Sequence, residues 1–322
     1  MVFDSAFDWA RRHVQADRLP TAVLGIADAT GIVALDGFGA PADARYPLFS
    51  VTKALLGITA ARAVERGLLT PETPLTAAVP EFGANRDDVV RLRHLVSHTS
   101  GITEIPLDTA ALPLRRTLVT QGRDFAAGTV SRYSTLAFEG VAALTEHATG
   151  IPWDVDTAAW TASLGAGGIS LDHEGALEVV DAADAGVDMD RFRATRAPGA
   201  GLLGRAEDLL RIGSELLRIH DGADDGILAP ATLRMMRRPL TGEIPRLDPY
   251  PAERGQDWGF TFNLRTRAPG LIDRDVYGHS GWAGTEFWVH PSAGLCWVLL
   301  TNRVSRPGVD ADELDNAVVS GR

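Results

Sequence analysis

The chain has 322 residues, 45% hydrophobic and 23% charged, enough to bury a substantial core and to carry two domains or one domain with a large insertion. Its net charge of -11 disfavours nucleic acid and anionic membrane as partners, and no basic stripe or zinc-finger spacing opposes that reading. The one cysteine, Cys296, excludes an internal disulfide, so the fold needs no oxidising compartment.

The N-terminal stretch MVFDSAFDWARRHVQADRLP has acidic residues before its first basic pair and no apolar run behind it, so it does not read as a secretory signal. Residues 4 to 16 have helical periodicity, with Phe7, Ala10 and Val14 on one face. TAVLGIADATGIVALDGFG predicts two strands joined near Ala29-Thr30-Gly31. SVTKALLGITAARAVERGLL is the clearest helix, with Leu55, Ile58, Ala61 and Val64 at helical spacing and Gly67 just past its end. VRLRHLVSHTSG, TLAFEGVAALTEHATG and LEVVDAADAG predict further helices, punctuated by Pro and Gly, and AEDLLRIGSELLRIHDG another. WGFTFNL, TEFWVHP and GLCWVLLTN read as strands, the last two flanking a Pro291–Gly294 turn, and VDADELDNAVVSG as a closing helix. The apolar runs are too short or too interrupted to span a bilayer, so stable membrane insertion is not expected and a cytoplasmic location is.

Strands at both ends with helices between them predict a mixed α/β (α+β) chain with an antiparallel sheet flanked by helices. Residues 1–69 and 196–322 then form a discontinuous domain, and residues 70–195 a mostly helical inserted one.

A serine hydroxyl is a poor nucleophile until something accepts its proton. Ser50-Val51-Thr52-Lys53 sets a hydroxyl and an amine at i and i+3, on one helix face. Enclosure by the apolar residues around them would lower the lysine pKa and make it a base. By itself the tetrapeptide reads more readily as an N-cap followed by a solvated lysine. Two further features bear on it: Tyr133-Ser134-Thr135 puts a phenol at a helix entrance, and Gly278-His279-Ser280-Gly281 precedes a hairpin whose edge would present backbone N–H groups. That last segment is not a nucleophile elbow, because G-x-S-x-G needs glycine where Trp282 stands.

Together YPLFSVTKALLGITAARAVERGLL, VRLRHLVSHTSGI, Tyr133-Ser134-Thr135, GAGLLGRAEDLLRI and GHSGWAGTEFWVHP resemble the serine beta-lactamase-like family, in its class C beta-lactamase, D-alanyl-D-alanine carboxypeptidase and family VIII esterase branch. The resemblance implies a beta-lactamase/transpeptidase-like fold and a covalent acyl-enzyme. It implies Ser50 as nucleophile, Lys53 as its partner amine, Tyr133 as proton shuttle and His279 where beta-lactamases usually carry lysine. It also implies an oxyanion hole from the backbone N–H groups of Ser50 and Trp282, with Thr135, Ser280, Gly281, Trp282 and Trp258 around the substrate.

Two departures bear on specificity. Thr135 stands where the family usually has asparagine, and a hydroxyl replaces only part of an amide's contacts. A neutral imidazole at His279 attracts a substrate carboxylate less than an ammonium does. Both favour a carboxylic-ester hydrolase acting on small or medium acyl esters. Acyl transfer to an alcohol or amine comes next, then D-Ala-type peptidase, amidase or beta-lactamase activity. A non-catalytic binding protein comes last, since Ser50, Lys53 and Tyr133 are all kept. The expected partner is a small-molecule acyl substrate, ester or amide; the sequence leaves the oligomeric state open.

His94 and His98 read as structural histidines of the helical insertion, and with no H-E-x-x-H grouping neither a catalytic metal nor a cofactor is expected. Trp258 and Trp282 are read either as core or as an apolar wall around the acyl group, Phe260 as core, and Cys296 as a small buried hydrophobe. The segments around residues 104–130, 150–170 and 240–256 are expected to shape the pocket rim.

Overall fold

A computed structural model describes residues 3–84, 86–247, 256–266 and 271–321, so the expectation for 240–256 lies partly outside the described residues. Helix α1 (Asp4–Gln15) leads into the hairpin β1 (Ala22–Asp28) and β2 (Gly31–Phe38), and a short β3 (Tyr46–Pro47) enters α2 (Val51–Glu65). Then come α3 (Leu92–Val96), α4 (Leu114–Thr120), α5 (Ala137–Thr149), α6 (Trp153–Ser163) and α7 (Met189–Ala194). Strand β4 (Leu203–Gly204) pairs with β3 and precedes α8 (Ala206–His220) and α9 (Pro230–Met236). The chain returns through β5 (Asp257–Trp258), β6 (Asn263–Leu264), β7 (Tyr277–Ser280), β8 (Glu286–His290) and β9 (Leu295–Leu300), and closes with α10 (Ala311–Ser320).

The main sheet is antiparallel, as the sequence predicts, and its strands run in the order β2-β1-β9-β8-β7-β6-β5. Its central strands are apolar on both faces because helices cover both. Leu24, Ile26, Trp288, Trp297 and Leu299 face α1 and α10, while Val23, Ala27, Phe287, Cys296 and Val298 face α8 and α2. Each fully buried Leu, Ile or Val contributes roughly 1.5–3 kcal/mol. Helix α8 lies close to the sheet because of Gly213, where a Cβ would stand 2.4 Å from Cys296 Sγ.

Helix α2 positions the site. Every residue from Val51 to Ala61 is buried, because the sheet, α5 and α6 pack around it. The single buried face expected from Leu55, Ile58, Ala61 and Val64 is thus too narrow; the helix has the all-round burial of a central element.

Three other expectations change. The buried face of α1 is Ala6, Trp9, Ala10 and His13, with Phe7 and Val14 at its flank. LEVVDAADAG is not a helix. Its backbone bonds elsewhere, Leu177 N–H to Arg45 O and Val180 N–H to Asn302 O, while the Asp181 carboxylate accepts the amides of Val304 and Ser305. WGFTFNL is not one strand but the paired β5 and β6 joined by a tight turn in which Thr261 takes a left-handed φ of 71°.

Candidate active site

Ser50 is the N-cap of α2, and the residue before it, Phe49, holds a left-handed φ of 46°. That conformation is costly for a bulky side chain and survives because its surroundings lock it. Leu48 N–H donates to Leu202 O at 2.8 Å, Leu48 O accepts from Thr285 Oγ1 at 3.1 Å, and Thr52 Oγ1 accepts from Leu202 N–H at 3.2 Å. Gly281 completes this clamp, since a Cβ there would lie 2.0 Å from Thr285 Oγ1 and 2.6 Å from Leu48 O. The glycine is needed for this close approach to Thr285 and to the Leu48 backbone.

Lys53, one turn into α2, is fully buried. Its Nζ stands 2.8 Å from Gly199 O, 3.1 Å from Ser50 Oγ and 3.3 Å from Thr135 Oγ1. Burial pulls its pKa down from 10.5 to about 7, with the Glu104 carboxylate opposing. A neutral amine has two N–H bonds and one lone pair. Gly199 O and Thr135 Oγ1 take the two hydrogens, which leaves the lone pair for the Ser50 hydroxyl. Tyr133 O–H donates to Ser50 Oγ at 2.7 Å, and Lys53 Nζ lies 4.7 Å from the centre of the Tyr133 ring. Hydroxyl, amine and phenol, brought together from positions 50, 53 and 133, form one contact set able to move a proton to and from Ser50.

Strand β7 pairs with β6 only through Tyr277 and Gly278, so the backbone of His279 and Ser280 runs on past β6 toward the site. The Gly281 amide is committed to Thr285 O at 2.7 Å. Ser280, Gly281 and Trp282 line a cavity of about 560 Å³ together with Ser50, Tyr133 and Thr135. Its apolar wall is Phe49, Ile105, Leu107, Val187, Phe192 and Trp282, the last packed edge-on against Phe49 at 5.4 Å. Glu104 and Asp108 are the charged residues among the described lining, which includes no lysine or arginine.

Two expected site residues sit behind this cavity instead of on it. The His279 ring is buried, its Nδ1 is 2.7 Å from Ser280 O, and burial lowers its pKa to about 3, so it is a neutral imidazole. Trp258 is 2% exposed and packs on His98 at 4.3 Å, His279 at 5.4 Å and Tyr133 at 5.6 Å, because the β5–β6 turn tucks it inward. It is a floor beneath the phenol, not a wall for an acyl group.

Glu104 was not singled out by the sequence. Its Oε2 accepts from Ser134 Oγ at 3.0 Å, Thr135 N–H at 2.8 Å and Leu136 N–H at 3.1 Å, satisfying the amides that open α5. His94 and His98 stand four apart, a spacing that metal-ligand pairs use on helices, yet they do not share a face. Helix α3 stops at Val96 and His98 turns left-handed at φ 58°. His94 Nδ1 accepts from Arg91 N–H at 3.2 Å while its Nε2 lies 3.1 Å from Arg93 Nε, and His98 Nδ1 accepts from Ser134 N–H.

A model of the beta-lactamase family matches residues 7–320. Esterase EstB of Burkholderia gladioli is 29% identical over 324 residues, covering 81% of this chain and 78% of its own. Two solved structures share the fold. EstCE1, described as a hydrolase with promiscuous acyltransferase activity, superposes with a TM-score of 0.77 at 19% identity, over 98% of this chain and 97% of its own. A penicillin-binding protein homologue from Caulobacter crescentus superposes with a TM-score of 0.79 at 18% identity, over 99% and 96%. Among the described residues no helix is long and apolar enough to cross a membrane. With a match across nearly its whole length and an esterase relative, the chain belongs to the beta-lactamase family and is an enzyme of the serine hydrolase type.

Proposed function

We propose that this enzyme is a carboxylesterase that forms an acyl-enzyme on Ser50. The observation that carries the reading is the enclosed Lys53 amine, 3.1 Å from a hydroxyl that also accepts from Tyr133. The Ser50 proton passes to Lys53 as Oγ attacks the ester carbonyl. The developing oxyanion is held by the backbone N–H of Ser50, at the start of α2, and by that of Trp282, the residue after the committed Gly281 amide. Tyr133 gives its proton to the departing alkoxide, and the ammonium of Lys53 then restores the phenol. Water repeats the sequence in reverse to release the acid. Residues 70–195, as the inserted unit, supply Tyr133, Thr135 and one side of the cavity.

An ester without a carboxylate is favoured by the lining. Its charged groups, Glu104 and Asp108, are both acidic, and His279 is neutral where a carboxylate-binding lysine would stand. Thr135 is occupied by Lys53, which leaves little for an acylamino group. The apolar wall suits a small or medium acyl chain. Acyl transfer to an alcohol or amine is the second reading, since an acceptor entering the same cavity competes with water for one acyl-enzyme; the description of EstCE1 supports it. Peptidase, amidase or beta-lactamase activity ranks below both, and pure binding last.

Intact-mass spectrometry with a short-chain p-nitrophenyl ester tests this on the wild type and Ser50→Ala, with nitrophenol release followed with and without an alcohol or amine acceptor. An adduct and turnover lost in the variant are expected. Equal activity in both proteins would sink the mechanism, and release accelerated by the acceptor, with acylated acceptor detected, would move the assignment to transferase.

A further inference from the structure

We infer that His98 is a positioning residue for Tyr133. Both amides flanking the tyrosine are held by this one residue: Arg132 N–H donates to His98 O at 2.9 Å, and Ser134 N–H to His98 Nδ1 at 3.1 Å. The ring also stacks on the phenol ring, with centroids 4.3 Å apart and planes 26° apart. The path of the chain through Tyr133 is thus set from one residue, by its backbone carbonyl on one side and its ring nitrogen on the other, and the plane of the phenol by the same ring.

The arrangement is built, not incidental. His98 is fully buried and holds a left-handed φ of 58°, unfavourable for a histidine in isolation. The turn is fixed on both sides, by Thr99 N–H donating to His94 O and Gly128 N–H donating to Thr99 O. Trp258 closes on the ring edge-on at 4.3 Å. An acceptor Nδ1 puts the ring proton on Nε2, so His98 works as a neutral group; burial, with Lys53 and His279 nearby, keeps its pKa well below the usual value. With Tyr133 O–H 2.7 Å from Ser50 Oγ, the phenol works only if its place is held to a fraction of an ångström. A 1 Å misplacement costs on the order of a hundredfold in rate.

The inference rests on Tyr133 taking part in acylation as proposed. The test is a double-mutant cycle on the rate at which Ser50 is labelled by a trifluoroethyl phosphonate, whose alkoxide leaving group needs the Tyr133 proton, with kcat and KM for an ethyl ester alongside. His98→Gly keeps the left-handed backbone and removes the ring, His98→Phe keeps a stacked ring without the acceptor, and His98→Asn tolerates the same φ and restores an acceptor near Nδ1. His98→Gly and His98→Phe should each lose roughly a hundredfold in labelling and kcat with KM within about threefold, and His98→Asn should recover tenfold or more. In a Tyr133→Phe background the same changes should have almost no further effect, because His98 acts through the phenol. Labelling equal to wild type in His98→Gly, or losses that add in full to Tyr133→Phe, would overturn the inference. If His98→Gly does not fold, the His98→Phe and His98→Asn pair decides in the same cycle. A wild type that is not labelled on Ser50 would fail the proposed mechanism, whereas a labelled wild type with equally labelled His98 variants would fail this inference alone.

Discussion

Replacing Lys53 by methionine should abolish ester turnover and yet leave the folded protein at least as stable. The folded pKa of Lys53 is lowered, from 10.5 to about 7, chiefly by burial. In the unfolded chain the amine is protonated up to about 10.5, so between about pH 7 and 10.5 the unfolded state binds the extra proton and folding must give it up. At pH 8 that is 2.5 pH units, about 3 kcal/mol against folding at roughly 1.4 kcal/mol per unit. Methionine has similar length and no charge to desolvate, but it leaves Gly199 O without its donor, a loss of about 1–3 kcal/mol. The variant should therefore be equal to or modestly more stable than wild type at pH 8. The sharper quantity is the slope. Wild-type stability should rise relative to Lys53→Met by up to about 1.4 kcal/mol per pH unit between about 7 and 10.5, and the difference should be constant below that window. Urea unfolding of both proteins at half-unit intervals measures it. A difference that does not change with pH across the window would refute the enclosed-amine argument. So would a wild-type acylation rate that fails to rise through about pH 7, where the amine loses its proton.

Glu104 opposes the effect of burial on Lys53, so Glu104→Gln, which keeps an acceptor for the Thr135 and Leu136 amides, should lower the amine pKa further. The acid limb of the pH–rate profile should then move down by up to about one pH unit, and a shift upward would contradict the electrostatic assignment. Gly57→Ala would place a Cβ 1.8 Å from Thr261 Oγ1, one turn beyond Lys53, and should cost about 1–3 kcal/mol of stability together with activity. Thr261→Gly, which also removes a left-handed β-branched residue, should restore most of both; thermal melts of the two single variants and the double variant would reveal no coupling if that packing reading is wrong. Among matched p-nitrophenyl esters, an acyl chain ending in a carboxylate should react on the order of tenfold more slowly than its neutral counterpart. Asp108→Asn should narrow that gap, and equal kcat/KM values for the two esters would remove the argument from the lining.

What the sequence made legible is what lies within one element or one motif. Ser50 and Lys53 meet because they are three residues apart on a helix, and Tyr133 joins them where the family resemblance puts it. The sheet's composition from both ends of the chain follows from the apolar runs there. Glu104 and His98 gain their importance from the backbone amides of Arg132, Ser134, Thr135 and Leu136, about thirty residues away, and no periodicity marks an acceptor for a distant amide. LEVVDAADAG has helical propensity, but partners at Arg45, Asn302, Val304 and Ser305 bind its backbone and its Asp181 carboxylate. Trp258 lies on a predicted strand, yet the left-handed Thr261 folds that strand back and turns the indole beneath Tyr133.

The chemistry therefore depends less on the tetrapeptide Ser-x-x-Lys than on the helix that bears it. On an amphipathic surface helix the same lysine would point to water, stay protonated near neutral pH and offer Ser50 no lone pair. Helix α2 has no polar face over its first three turns, since Val51 to Ala61 are all enclosed by the sheet, α5 and α6. Enclosure lowers the amine pKa, and Gly199 O and Thr135 Oγ1 satisfy its two hydrogens so that burial does not leave them unpaired. In the proposed mechanism, apolar packing far from the cavity, including the close approach at Gly57, is thus part of what would activate Ser50. The stability lost by burying an amine and the reactivity proposed for Ser50 would then have one physical origin.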